Sequence, residues 1–213
     1  KPIIKEVLGP DAESVSIAFR FNGALSYDAL ILTIISKILN NGTAGLIDLD
    51  LMHKQKVLEA YSYNMTLEDY SVLLLAGKPK AEQTLDDVKD LLLQQLDKIK
   101  KGEFEEWLLE AIINDLRLQE IRMYEDNSSR VSSFVDAFVT GVPWEVYTSR
   151  IDRMSRISKE EIVSFAQKYF TDNYVMVYKR TGKDKSIQKI AKNKITPINI
   201  NRDEESEFLG KIK

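Results

Sequence analysis

Stretches with strand character and stretches with helix character are grouped along this chain instead of alternating. The order is strand, helix, hairpin, several helices and a last strand, without the regular βαβ repeat that builds a parallel sheet. Such an order predicts an α+β fold, with a largely antiparallel sheet and several helices packed on one face.

The first strand lies in Ser14 to Asn22, where Val15, Ile17, Phe19 and Phe21 alternate with Ser16 and Arg20 at the two-residue period of a half-buried strand. Asn22-Gly23 turns the chain. Ser26 is placed to cap a helix with Asp28 in its first turn, the apolar run continues to Leu39, and Gly42 stops it after Asn40-Asn41. Val57 to Asn64 and Tyr70 to Ala76 are rich in strand formers, and Thr66, Glu68 and Asp69 between them suit a hairpin turn. Thr84 with Asp86 and Asp87 opens a helix in which Leu85, Val88, Leu92, Leu96 and Ile99 recur at three- and four-residue spacing, and Gly102 closes it. A second helix, from Glu103 to Met123, is apolar enough to be sandwiched. A third, from Arg130 to Val139, places Val131, Phe134, Val135 and Phe138 on one face. The capping box Ser158-Lys159-Glu160-Glu161 starts a fourth, which runs to Tyr169. The last strand, Asn173 to Lys179, is apolar on both faces and is expected inside the sheet. A folded domain is therefore expected over 1–182. A charged linker or tail towards a following domain is expected over 183–213, with Ile187, Ile190, Ile195, Ile198, Ile200, Phe208 and Leu209 as scattered anchors.

The chemistry open to the chain is narrow. Its 33 acidic and 30 basic residues are spread along it for a net charge of -3, so no basic stripe is available for a nucleic acid. The longest apolar run, Ala29 to Ile35, is too short to cross a membrane. Cysteine is absent, which excludes thiolate metal sites and thiol catalysis. The only histidine is His53, so neither H-E-x-x-H nor H-x-x-E-H can be built, and a serine triad would have to recruit that same ring without a G-x-S-x-G elbow. Gly42-Thr43-Ala44-Gly45 lacks the following Lys-Ser/Thr of a phosphate-binding loop. Asp48 and Asp50, and Glu103, Glu105, Glu106 and Glu110, are expected on solvated helix faces. No catalytic or metal residue is assigned, and no cofactor is expected in this chain.

Several segments taken in order resemble one family. The run Ser14 to Gly45, ending Ile38-Leu39-Asn40-Asn41-Gly42-Thr43-Ala44-Gly45-Leu46, is similar to the opening of the second domain of insulinase/pitrilysin zinc metallopeptidases. Lys56-Val57-Leu58-Glu59-Ala60-Tyr61, the Tyr70 to Ala76 strand, the helices around Gly102-Glu103-Phe104, Ser158 to Ile162 and Tyr174 to Tyr178 continue the likeness. Ile195-Thr196-Pro197-Ile198 with Asn201-Arg202-Asp203 resembles the linker joining the halves of such enzymes, particularly bacterial ones.

The resemblance implies a non-catalytic domain of the N-terminal half of a larger endopeptidase. It would form part of a substrate chamber and assist peptide binding, with zinc held by a catalytic domain that precedes it. Its partners would be neighbouring domains of the same parent chain, or a catalytic subunit, together with a peptide substrate. The alternative is an inactive subunit or binding module that pairs with a separate zinc-bearing subunit. Bacterial relatives make the periplasm the expected compartment, and the start at Lys1-Pro2 without Met suggests an upstream region. An extended peptide would add to a sheet edge, and the Val57 to Asn64 strand, through Leu58, Ala60, Tyr61 and Ser62, is the candidate. In related inactive halves an Arg and a Tyr with six residues between them orient substrate. Lys54 and Tyr61 have that spacing. The pair is typical of C-terminal halves, however, and Lys lacks the planar fork of Arg, so the spacing is read as coincidence.

Overall fold

The computed structural model describes residues 1–183, 196 and 205–212, and the chain divides into two compact units, 1–183 and 184–213. In the first unit five strands form one open sheet. They are β1 (Ile3–Gly9), β2 (Ser14–Asn22), β3 (Glu59–Thr66), β4 (Tyr70–Lys78) and β5 (Val175–Thr181), in the spatial order β1-β5-β2-β4-β3. Every pairing is antiparallel except that of β1 with β5, which is parallel. The α+β class and the largely antiparallel sheet read from the sequence are the architecture of the molecule.

The alternation in β2 sets which face is covered. Val15, Ile17, Phe19 and Phe21 are all buried, and the register places Ile17 between Leu75 and Met176, with Leu75 next to Ser62. Against this face pack α1 (Tyr27–Leu39) and α2 (Leu85–Lys101). α7 (Lys159–Tyr169) runs along α2, and α3 (Trp107–Glu125) lies over α1. Phe19 and Phe21 join the sheet to α7 and the segment after it. Phe19 meets Phe170 edge-on at 5.1 Å between centroids, and Phe21 stacks on Phe165 at 5.6 Å.

Local chemistry fixes the helix ends. Thr84 and Ser158 both close full capping boxes, with Asp87 and Glu161 as the reciprocal partners, and Gly102 ends α2 in the left-handed region at φ 69°. Ser26 stands at the head of α1 with extended backbone, but its side chain makes no cap hydrogen bond. Asn22 Nδ2 donates to Asp28 Oδ2 at 2.7 Å and ties the first turn down from the other side.

Several features depart from the sequence reading. β1 is a full strand at one edge of the sheet, where none was expected. α3 is covered on one side only: Leu108, Ile112 and Ile113 are buried and Trp107 is exposed, so the helix is not sandwiched. α4 (Asn127–Val139) turns its small residues, Ser133 and Ala137, inwards against α3 and leaves Val131, Phe134, Val135 and Phe138 exposed, Phe138 by 86%. The apolar stripe is real, but it points away from the core. α5 (Trp144–Thr148) and α6 (Arg150–Met154) complete the helical layer. Among the described residues no helix is long and apolar enough to cross a membrane. In the second unit α8 (Glu207–Ile212) carries Phe208 and Leu209, both exposed, while Ile187, Ile190, Ile195, Ile198 and Ile200 lie outside the described residues.

Candidate functional site

β3 forms the edge of the sheet opposite β1. Its period of two places Ala60 and Ser62 under the helices, both buried, and Tyr61, Tyr63 and Met65 on the other face, all exposed. The rings of Tyr61 and Tyr63 stack at 6.3 Å with 14° between their planes. Leu58, one residue ahead of the strand, is exposed and donates its N–H to the Lys78 carbonyl at 3.0 Å. The outer backbone of β3 is partly engaged by the chain itself. The Ser62 N–H reaches Asn40 Oδ1 at 3.4 Å, and the Ala60 N–H lies 3.2 Å from Met52 Sδ.

Asn40 is held in place by a buried carboxylate. Asp48, which starts a π-helical turn (Asp48–Met52) and is 5% exposed, accepts from Asn40 Nδ2 at 2.5 Å. It also accepts from the backbone N–H groups of Asn41 and Gly42 at 2.9 Å and of Gly45 at 3.1 Å. Four donors converging on one carboxylate wind the loop after α1 around it, which is why Asp48 sits inside and not on the solvated face expected of it. Gly45 has to be glycine for this approach, because a Cβ there would come within 2.6 Å of the Leu39 carbonyl oxygen and 2.7 Å of Asp48 Oδ2.

Asp50, two residues on, takes part in a different network. Lys54 Nζ lies 2.7 Å from Oδ1, and Lys98, from the last turn of α2, contacts Oδ2. Burial pushes this carboxyl up, but the hydrogen bonds and charges of Lys54 and Lys98 outweigh it and hold Asp50 below the usual carboxylate range. Lys54 is thus engaged with Asp50, whereas Tyr61 belongs to the exposed face of β3. Glu103, Glu105, Glu106 and Glu110 are exposed, as expected.

The face of the sheet turned away from the helices is apolar along β3 and its neighbours. Val72, Leu74, Ala18 and Val177 line it half-buried, beside the exposed Tyr61, Tyr63 and Met65. Its polar accent is Arg20, stacked over the Tyr70 ring at 4.8 Å. On the helical side, a cleft of about 630 Å³ opens between α1, α3 and α4, walled by Leu30, Leu116 and Val139 and bordered by the Arg150–Glu120 ion pair at 3.0 Å. His53 is exposed just after the π-helical turn. Among the described residues no three His, Cys, Asp or Glu side chains are placed to share a metal ion.

The profile of the peptidase M16 inactive domain matches residues 1–116. The chain is 23% identical over 165 residues to the zinc protease PqqE of Helicobacter pylori, covering 77% of this chain and 37% of that protein. It superposes on a solved protease from Helicobacter pylori with a TM-score of 0.77 at 23% identity, over 83% of this chain and 44% of that one. It also superposes on a solved peptidase M16 inactive domain from Pseudomonas fluorescens, with a TM-score of 0.67 at 13% identity, over 86% of this chain and 44% of that one. The chain spans less than half the length of each of these relatives. With its profile match and its fold in agreement, this chain belongs to the family of the peptidase M16 inactive domain.

Proposed function

We propose that this chain is the non-catalytic domain of a larger zinc-dependent endopeptidase, where it forms part of the substrate chamber and assists peptide binding. The match of residues 1–116 to an inactive peptidase domain carries the reading. The residue chemistry supports it. A catalytic zinc takes three protein ligands, and a chain with one histidine and no cysteine does not fit that group. The metal of such an enzyme would be held by polypeptide outside these 213 residues. Neighbouring domains of the N-terminal half of the same protein, and the peptide itself, are the partners this reading implies.

Leu58, Ala60, Tyr61 and Ser62 are the proposed peptide contacts. Strand addition supplies main-chain hydrogen bonds, and the side chains along the edge select what binds. Among the described residues the Ser62 N–H is held by the 3.4 Å contact to Asn40 alone, a long hydrogen bond, so it can pass to a peptide carbonyl at little cost. Leu58 and Tyr61 offer apolar surface beside it.

The test is to titrate the chain with a fluorescein-labelled, capped peptide of alternating Thr and Val, following anisotropy and product masses together. Binding without cleavage is expected, and Tyr61→Ala should weaken it roughly five- to thirtyfold, the range for an interface aromatic. Cleavage by the purified chain would remove the non-catalytic reading. Unchanged binding in both Tyr61→Ala and Ser62→Pro, measured with the opposite edge of the sheet blocked by Leu8→Pro in β1, would remove the assignment to β3.

A further inference from the structure

The two edges of the sheet are treated differently by the rest of the chain. Along β3, Asn40 and Met52 meet the outward N–H groups and α1 packs alongside. Among the described residues β1 has no such cover. Its register with β5 is continuous from Ile3↔Val175 to Gly9↔Thr181, with no bulge to twist it away. Ile3 donates its N–H to the Tyr174 carbonyl at 2.9 Å, and Gly9 accepts from the Gly182 N–H at 2.9 Å. The odd residues Ile3, Lys5, Val7 and Gly9 therefore point their backbone groups at β5, and the even residues Ile4, Glu6 and Leu8 point theirs outwards. Among the described residues nothing pairs with those outward groups. Both faces of β1 are apolar and open as well. Ile4 and Leu8, on the helix side, are 57% and 48% exposed, and Ile3 and Val7, on the other, 56% and 45%. Glu6 is occupied by Arg180 Nε at 2.8 Å, which leaves Lys5 as the one charge on the strand without a partner among the described residues.

We infer that the outer edge of β1 is a docking site for an extended segment of a neighbouring domain of the longer protein. That segment is apolar on both faces and carries an acidic residue next to Lys5. The inference rests on the reading of this chain as one domain among several, and relatives of which the match covers 37% and 44% leave room for such a segment. The unpaired backbone groups require a strand, and apolar side chains on both sides require a lasting partner, because a peptide that leaves would re-expose them each time. A second copy fits poorly. Two-fold antiparallel pairing that uses Ile4, Glu6 and Leu8 together sets Glu6 against Glu6, and the register one step towards the amino end sets Lys5 against Lys5. The register one step the other way pairs Glu6 with Leu8 and runs into Pro10, which has no N–H to give.

The parity of β1 supplies the test. Proline at an outward position removes an N–H that the sheet does not use, whereas proline at an inward position breaks a bond to β5. The probe is a short, capped, soluble peptide of alternating Thr and Val with one central Glu, added to the 213-residue chain and followed by residue-resolved amide hydrogen exchange. Slower exchange at Ile4, Glu6 and Leu8 by about tenfold or more is expected. Glu6→Pro and Leu8→Pro should each abolish that protection while moving Tm by only a few degrees, and Lys5→Pro should lower Tm clearly. The same probe with a central Lys should protect about tenfold less, through repulsion at Lys5.

Unchanged exchange at the three amides would overturn the proposal. So would protection that survives both outward prolines, or a probe N-methylated on alternate amides in either phase that protects as well as the parent. Equal protection by the Lys probe would show an edge open to any extended peptide, and concentration-dependent protection without probe would show self-association; both overturn it. None of these results touches the β3 assignment or the non-catalytic reading of this chain, each of which has its own assay.

Discussion

Replacing Asp48 by Ala removes the acceptor around which the loop after α1 is wound. Three backbone N–H groups, those of Asn41, Gly42 and Gly45, and the Asn40 amide lose their partner at a site that is 5% exposed. Each orphaned donor costs about 1–3 kcal/mol, less where water enters the space left by the carboxylate, so the expected loss is roughly 3–5 kcal/mol. For a chain of this size that corresponds to a fall in Tm of about 6–20 °C. Asp48→Asn keeps one acceptor oxygen and should lose about half as much. Urea denaturation with hydrogen exchange reads both parts of the effect. Exchange at Asn41, Gly42 and Gly45 should accelerate first, and Ser62 should follow, because Asn40 holds the Ser62 N–H. A loss below about 1 kcal/mol, within the range of ordinary surface changes, with exchange at these amides unaltered, would refute the argument.

Asp50 should make the chain acid-sensitive. Its folded pKa lies below its unfolded one, so its contribution is present above the unfolded value near 4 and is lost as pH falls through the lower, folded value. Tm measured from pH 6 downwards should therefore fall less steeply in Asp50→Asn than in the parent, and parallel curves would count against the Lys54 and Lys98 network. Phe138→Ser should change stability by less than about 0.5 kcal/mol, because the ring is already exposed. It should also reduce aggregation, measured by light scattering, and a stability loss of about 2 kcal/mol or more would mean that α4 packs with this face inwards.

Much of the fold could be read from side-chain period and caps. β2 was legible because one of its faces is buried and the other half-solvated, so Val15, Ile17, Phe19 and Phe21 alternate cleanly. The starts of α2 and α7 were legible because Thr84 and Ser158 satisfy orphan N–H groups through a local motif. β1 was not. Ile3-Ile4 and Val7-Leu8 come in pairs around Lys5-Glu6, which is neither an alternation nor a continuous apolar run, and this is the pattern of a strand with apolar residues on both faces at an edge. The direction of the α4 stripe was equally closed to sequence, since a helical period reveals an apolar face without saying what meets it. Asp48 went unrecognised because its four donors come from a loop and a helix end, whose closing geometry no spacing rule encodes. The edge position of β3, on which the peptide-binding proposal depends, follows from the strand order and not from any residue in it.

The central claim is that reactivity towards peptides is supplied from outside this chain, and thermal unfolding with added zinc tests it most directly. A folded-state zinc site would raise stability by about 2.7 kcal/mol at a free concentration one hundred times its Kd, a shift of several degrees. The account predicts the same Tm in stoichiometric zinc as in chelator. A saturable, one-to-one rise in Tm that chelator reverses would contradict it.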